Sequence, residues 1–322
     1  MKTNSSQPYR VIFLGTPDFA RVILQGLIDS SSFNVLGVVA QPDKPVGRGR
    51  KMQAPPVALL AKEHNLPLFQ PSKLRGNQEV VSALQEMNPD FLVVAAYGKI
   101  LADDVLRLPK IDCINVHASL LPAYRGAAPI NYAILKGENE TGVSIMRVDK
   151  ELDAGAVFLK KAMPILDEDN AESLTKKMAL LGRDALLEAL PMIAAEELKG
   201  QEQNHEQATY APKLSKEMGL IDWAHPAETI FNQVRALDPW PTAVTELQKQ
   251  TLKVFKTQVL SNKSQQKPGT VVHVAQQGWT VATGSKDLLL QEIQLAGKKR
   301  MSAFDLANGM RLKAPFDLGE QS

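Results

Sequence analysis

The apolar positions of the first half of the chain come in short unbroken runs. VIFLG (11–15), VLGVVA (35–40), FLVVAAYG (91–98) and CINVHA (113–118) each have strand length and β-rich character. Between them, apolar positions recur at helical spacing in the stretch after Pro17, in PVALLAKEHN (56–65) and in NQEVVSALQEM (77–87). Strands this apolar, separated by helices, predict a mostly parallel sheet covered on both faces. GVSIMRVD (142–149) and GAVFLKKAMPI (155–165) predict an antiparallel pair extending that sheet. A helical pattern then runs from about residue 170 to 199, with Pro191 as an expected kink or break.

Periodicity fades over GQEQNHEQATYAPKLSK (200–216). This sets a linker at 200–213 between an N-terminal domain, 1–199, and a C-terminal domain, 214–322. Beyond it the texture changes. A helix is expected over 226–236, followed by the short strands AVTEL, TLKVFKTQVL, GTVVHVA, GWTVATG and DLLLQEIQLA. Strands in such close succession predict a small barrel. The length of 322 residues suits two domains, and 44% hydrophobic with 22% charged residues is a globular balance.

Charge adds one distinction. The net charge of +2 excludes a global field, but residues 211–322 carry 14 Lys and Arg against 10 Asp and Glu, so the second domain is mildly basic. The lone cysteine, Cys113, excludes an internal disulfide and a cysteine-based zinc site. No His spacing suggests a metal, and none is expected. The polar start MKTNSSQPYR and the lack of any apolar run of ~20 residues point to a cytoplasmic protein without a membrane span.

Four stretches carry candidate chemistry. GTPDFA (15–20) opens a strand–turn–helix unit but lacks the glycines of a dinucleotide loop, so it reads as a capped turn and argues against a nicotinamide cofactor. QPDKPVGRGRKMQAPP (41–56) is long for a strand–helix connection and holds Lys44, Arg48, Arg50 and Lys51 where open α/β sheets bind ligands; phosphates are the expected partners. In INVHASLLPAYRGAAPI (114–130), Asn115 and His117 stand two apart on a strand, and so share a face. A histidine there can move protons and an asparagine amide can donate to an oxyanion. VDKELDAGAV (148–157) offers Asp149 and Asp153, each either a turn cap or a partner for the histidine.

NVHASLLPAYRGAAPI with LDAG some thirty residues on resembles the folate-dependent formyltransferases. FLGTPDFA, QPDKPVGRGRK, ETGVSIMRVDKELDAG, YAPKLSKEMGLIDW, RALDPWPTA and AGKKRMSAFDLANG extend the resemblance over about 11–311, toward the branch acting on methionyl-tRNA. A small departure is Ala118, where glycine is also common. The resemblance implies a Rossmann-like formyltransferase domain with a mostly parallel sheet, then a small OB-like β-barrel that helps hold tRNA. It implies Asn115, His117 and Asp153 as catalytic residues and Ser119, Leu120, Leu121 and Pro122 as the border of the folate. It implies 10-formyltetrahydrofolate as formyl donor and initiator methionyl-tRNA as acceptor. The basic loop would enter the acceptor end, with Arg48 as its key arginine. Lys298, Lys299 and Arg300 would add tRNA contacts, and a monomer is expected. Three rival readings stand beside this one. They are formyl transfer to another amine, such as an amino-sugar nucleotide or glycinamide ribonucleotide; non-catalytic tRNA binding; and hydride transfer.

Overall fold

The structure is a computed structural model that describes residues 7–46 and 51–319. The apolar runs become the strands β1 (Tyr9–Gly15), β2 (Phe33–Val39), β3 (Leu68–Phe69), β4 (Phe91–Ala95) and β5 (Asp112–His117). Two longer strands follow, β6 (Glu140–Arg147) and β7 (Val157–Pro164). They form one sheet of order β7-β6-β5-β4-β1-β2-β3. The pairs β1–β2, β1–β4, β4–β5 and β2–β3 are parallel, and β6 runs antiparallel to β5. The backbone bonds Arg147 N to Ala156 O and Ile165 N to Asn139 O fold β7 back along β6 as a hairpin. Sheet growth reverses between β1 and β4, so the crevice expected in this class opens at the carboxyl ends of those strands.

The strands' apolar faces are covered by α1 (Asp18–Asp29), α2 (Pro56–Glu63), α3 (Gln78–Glu86), the short α4 (Asp103–Leu106) and α6 (Ala171–Ala194). Ile12, Leu14, Val39, Leu92, Val94 and Cys113 pack with Leu84 and Val105 on one face. Burial pushes the Cys113 thiol well above its ordinary pKa, so it stays protonated and inert. On the other face Gly182 lets α6 approach β5 closely. A Cβ there would stand 2.9 Å from Val116 Cγ1.

The expected break at Pro191 does not occur; α6 continues to Ala194. The proline lies in the last turns, where its missing N–H costs one intrahelical bond. The helix stops short of the expected residue 199, and Glu196 follows at φ 55°, a left-handed conformation that ends it.

The chain divides into two compact units: Met1–Pro129, Thr141–Met163 and Thr175–Ala211 in one, Ile130–Glu140, Pro164–Leu174 and Pro212–Ser322 in the other. The stretch expected as a linker is therefore split. Residues up to Ala211 belong to the first unit, where Tyr210–Ala211 pairs in parallel with Arg125–Gly126. Two excursions from the N-terminal half join the second unit through specific bonds. Asn131 donates to the Ala236 carbonyl (2.7 Å), Asn170 to Asp238 (2.9 Å) and Arg235 to the Leu166 carbonyl (2.9 Å).

In the second unit, α7 (Ala227–Ala236) precedes β8 (Ala243–Leu247), β9 (Gln250–Val259), β10 (Thr270–Ala275), β11 (Gly278–Val281), β12 (Leu288–Leu295) and β13 (Phe316–Asp317). Their order is β8-β9-β12-β11-β10-β13. The sheet curls until Gly319 N, just past β13, donates to the Glu246 carbonyl of β8 at 2.9 Å, giving a half-barrel consistent with the small barrel expected from the spacing of strands and with the OB-like domain the resemblance implied. Its interior holds Trp223, Trp279, Val254, Leu290 and Ile293, with Phe316 edge-on to Trp279 at 5.3 Å. The helices α5 (Pro129–Leu135) and α8 (Ala303–Met310) had no separate expectation in the periodicity. No helix among the described residues is long and apolar enough to cross a membrane.

Candidate active site

Alternation along β5 puts Cys113, Asn115 and His117 on one face. Cys113 sits in the core, and the two polar residues lie successively nearer the strand's carboxyl end. Asn115 pairs with Val94 on one side and Met146 on the other, and His117 pairs with Ser144. The neighbouring loops are tied together at this end. Thr16 Oγ1 and Gln41 Nε2 both donate to the Tyr97 carbonyl, at 3.3 and 2.8 Å. Asn115 is half-buried, and among the described residues no hydrogen bond engages its carboxamide.

His117 is 6% exposed, so its ring is held by the protein. Nε2 lies 3.0 Å from the Tyr124 carbonyl, which can only accept; Nε2 therefore carries a proton. Nδ1 faces Asp153 Oδ2 at 3.7 Å, an ion-pair separation and longer than a hydrogen bond. The same Oδ2 accepts the Gly126 amide at 2.8 Å. Asp153 thus reaches the histidine, and its φ of 50° is the conformation of a tight turn. Asp149 is exposed and accepts from the next backbone amide at 2.6 Å, so it caps its own turn.

The stretch 119–122 follows His117 directly. Ser119 is fully buried, and its hydroxyl donates to the Ala123 carbonyl at 2.5 Å. Ser144 Oγ donates to the Ser119 carbonyl (2.7 Å) and accepts from Leu121 N (3.0 Å). Leu121 is also fully buried, whereas Leu120 and Pro122 keep part of their surface. Ser119 and Leu121 fix the turn; Leu120 and Pro122 are the side chains of the stretch that stay partly exposed.

The loop 41–56 contains an antiparallel ribbon in which Lys44 pairs with Gln53 and Val46 with Lys51. Lys44 and Lys51 are exposed, and Lys44 donates to Gln41. Arg48 and Arg50 lie outside the described residues. In the second unit Lys298 and Lys299 are exposed. Arg300 is engaged, paired with Glu292 at 2.6 Å and stacked over Phe255 at 4.3 Å. Among the described residues no group of three or more His, Cys, Asp or Glu could hold a metal.

Three residues of this neighbourhood were not among the candidate site residues read from the sequence. Arg125, only 2% exposed, gives two bonds to Gln203 Oε1, at 3.2 and 2.7 Å. Gln203 is buried inside a stretch whose neighbours on both sides are exposed. No periodicity marks it, because a single inward side chain in an irregular segment has none. Gly126, at φ 118°, brings the backbone against Ala211; a Cβ would stand 2.7 Å from the Ala211 carbonyl. Gly126→Ala is expected to destabilise the fold by about 1–3 kcal/mol through the forced backbone conformation. Urea unfolding measures it, and an unchanged midpoint would place the strain elsewhere.

A family model described as formyl transferase matches residues 9–190, and one described as formyl transferase, C-terminal domain, matches 213–311. The chain belongs to the formyl transferase family. A methionyl-tRNA formyltransferase of Geobacter metallireducens is 44% identical over 309 residues, covering 96% of this chain and 98% of the relative. One of Bacillus subtilis is 43% identical over 311 residues, with 96% and 98% covered. The crystal structure of HypX from Aquifex aeolicus with tetrahydrofolic acid superposes with a TM-score of 0.63 at 16% identity, over 94% of this formyl transferase and 47% of HypX. At that identity the likeness concerns the fold.

Proposed function

We propose that this chain transfers the formyl group of 10-formyltetrahydrofolate to the α-amino group of methionine on initiator methionyl-tRNA. The near full-length identity to enzymes of that name carries the reading, and the chemistry at the end of β5 suits it. Asn115 is a donor without a hydrogen-bond partner among the described residues, and in this reading it bonds the formyl oxygen as negative charge develops there. His117 is fixed through Nε2–H on Tyr124, which leaves the Nδ1 lone pair to take a proton from the attacking amine and return it to the departing N10. Asp153, 3.7 Å from Nδ1, stabilises the imidazolium that exists between those two transfers. The new bond joins the amine nitrogen to the formyl carbon, the bond from that carbon to N10 breaks, and no covalent enzyme intermediate forms. Leu120 and Pro122 border the folate.

The domains divide the work: 1–199 performs the transfer and 214–322 holds tRNA. Lys44, Arg48, Arg50 and Lys51 contact the acceptor end, and Lys298 and Lys299 the phosphate backbone. Arg300, already paired with Glu292, contributes less. The protein acts as a cytoplasmic monomer without a metal.

Incubation with 10-formyltetrahydrofolate and charged methionyl-tRNA yields formyl-methionine. Turnover of an amino-sugar nucleotide, with methionyl-tRNA left untouched, would overturn the reading. Arg48→Ala weakens tRNA binding while folate binding stays unchanged. Binding of tRNA also falls with salt, by a logarithmic slope of roughly 0.7–0.9 per phosphate contact. A folate defect of equal size in Arg48→Ala, or a salt-independent Kd, would remove the basic residues from the tRNA interface.

A further inference from the structure

Arg125 is a buried cation, and among the described residues no carboxylate is bonded to it. Its guanidinium grips the side-chain oxygen of Gln203 through Nε and Nη2, and Nη1 lies 3.5 Å from His205 Nδ1. The amide nitrogen of Gln203 in turn donates to the carbonyls of Asp153 and Gly155, at 2.8 and 2.7 Å. Gln203 thus works in both directions: its oxygen is oriented by arginine, and its nitrogen is thereby aimed at the turn that holds Asp153. That turn needs a holder, because Asp153 sits at φ 50°, a conformation that a non-glycine residue keeps only when its surroundings impose it. The carboxylate end of Asp153 is held by the amide of Gly126, the residue next to Arg125. Both ends of Asp153 are therefore tied to the dipeptide Arg125–Gly126, one directly and one through Gln203.

We infer that Arg125 and Gln203 are positioning residues that set the distance between Asp153 and His117. The inference rests on the catalytic reading of Asp153. Neither side chain has been placed on substrate; they act through the turn. The separation they govern is the 3.7 Å between Asp153 Oδ2 and His117 Nδ1. Arginine suits the task because its planar fork bonds one oxygen from two nitrogens, which a lysine cannot reproduce.

Gln203→Glu separates positioning from stability. The variant keeps an acceptor for Arg125, now charged, which offsets part of the bonds lost to the Asp153 and Gly155 carbonyls, so the chain still folds, with a Tm moderately below the parent's. It loses the donor to Asp153 and Gly155 and sets a carboxylate against their carbonyl oxygens, so the turn is released. In the full chain, kcat for formyl transfer to methionyl-tRNA is expected to fall by about 10²-fold, the scale of a 1 Å misplacement, with KM for both substrates within about twofold. In an Asp153→Asn background the same change is expected to cost less than about twofold, since groups acting as one unit are not additive. Arg125→Lys, which keeps the charge and loses the fork, shows the same coupling; it decides the question if Gln203→Glu fails to fold.

Losses that multiply in the double variants would overturn the inference, and so would a normal kcat in the folded single variants. If Asp153→Asn itself keeps full kcat, the catalytic reading of Asp153 has failed instead.

Discussion

Asn115→Ala lowers kcat by about 10²–10³-fold, roughly 2.7–4 kcal/mol, while KM for either substrate changes little. The size follows from what the side chain does in the resting protein. Its carboxamide bonds no group among the described residues, so it supports no turn and its removal leaves no buried partner stranded. In the proposed transfer such a donor is engaged only when charge appears on the formyl oxygen, and an interaction made only in the transition state acts on kcat. Asn115→Asp is a sharper variant, because it places a negative charge where the oxyanion forms; its kcat falls at least as far as that of the alanine variant. Thermal unfolding of both variants stays close to the parent, since the site is half-buried at a strand end. A variant that turned over at a tenth of the parent rate or better would remove Asn115 from the oxygen's coordination.

His117→Ala is expected to cost about 10²–10⁴-fold in kcat, the range for losing a positioned general acid–base. Single-turnover measurement with saturating substrates isolates this step from product release. Added imidazole restores part of the rate, because the cavity left by the ring admits it and Asp153 remains in place. The Tyr124 carbonyl accepts the hydrogen bond from Nε2–H, so Nδ1 is the nitrogen that would shuttle in the proposed transfer. Tyr124 acts through its carbonyl, so changing its side chain leaves that bond available. Near-parent single-turnover rates in His117→Ala would mean that the amine loses its proton to water instead.

Asn115 and His117 were legible in the sequence because a strand alternates its side chains: two polar residues two apart must share a face wherever the strand lies. The expected sheet rested on the same local physics, since unbroken apolar runs cannot face water on either side. The expected break at Pro191 failed for a local reason too: the proline falls three residues before the helix ends, and one lost bond there is tolerated. Arg300 was grouped with Lys298 and Lys299 as a tRNA contact from its neighbours in sequence alone; that it folds onto Phe255 and Glu292 across neighbouring strands could not be read there. The stretch 200–213 looked like a linker because it is polar and aperiodic. Much of it is exposed, as its composition says; its two buried residues, Gln203 and Ala211, leave no trace in composition.

By itself, then, the sequence determined the strands, most of the helices, the shared face of Asn115 and His117 and the family to which the motifs point. These depend on side-chain period and on residue identity, both written locally. The tertiary structure alone decided that Asp153 rather than Asp149 reaches His117, across a hairpin. It also decided that Arg125 meets Gln203, 78 positions away, and that two short excursions join the second unit. Such meetings depend on how separate elements pack, and no spacing along the chain encodes them.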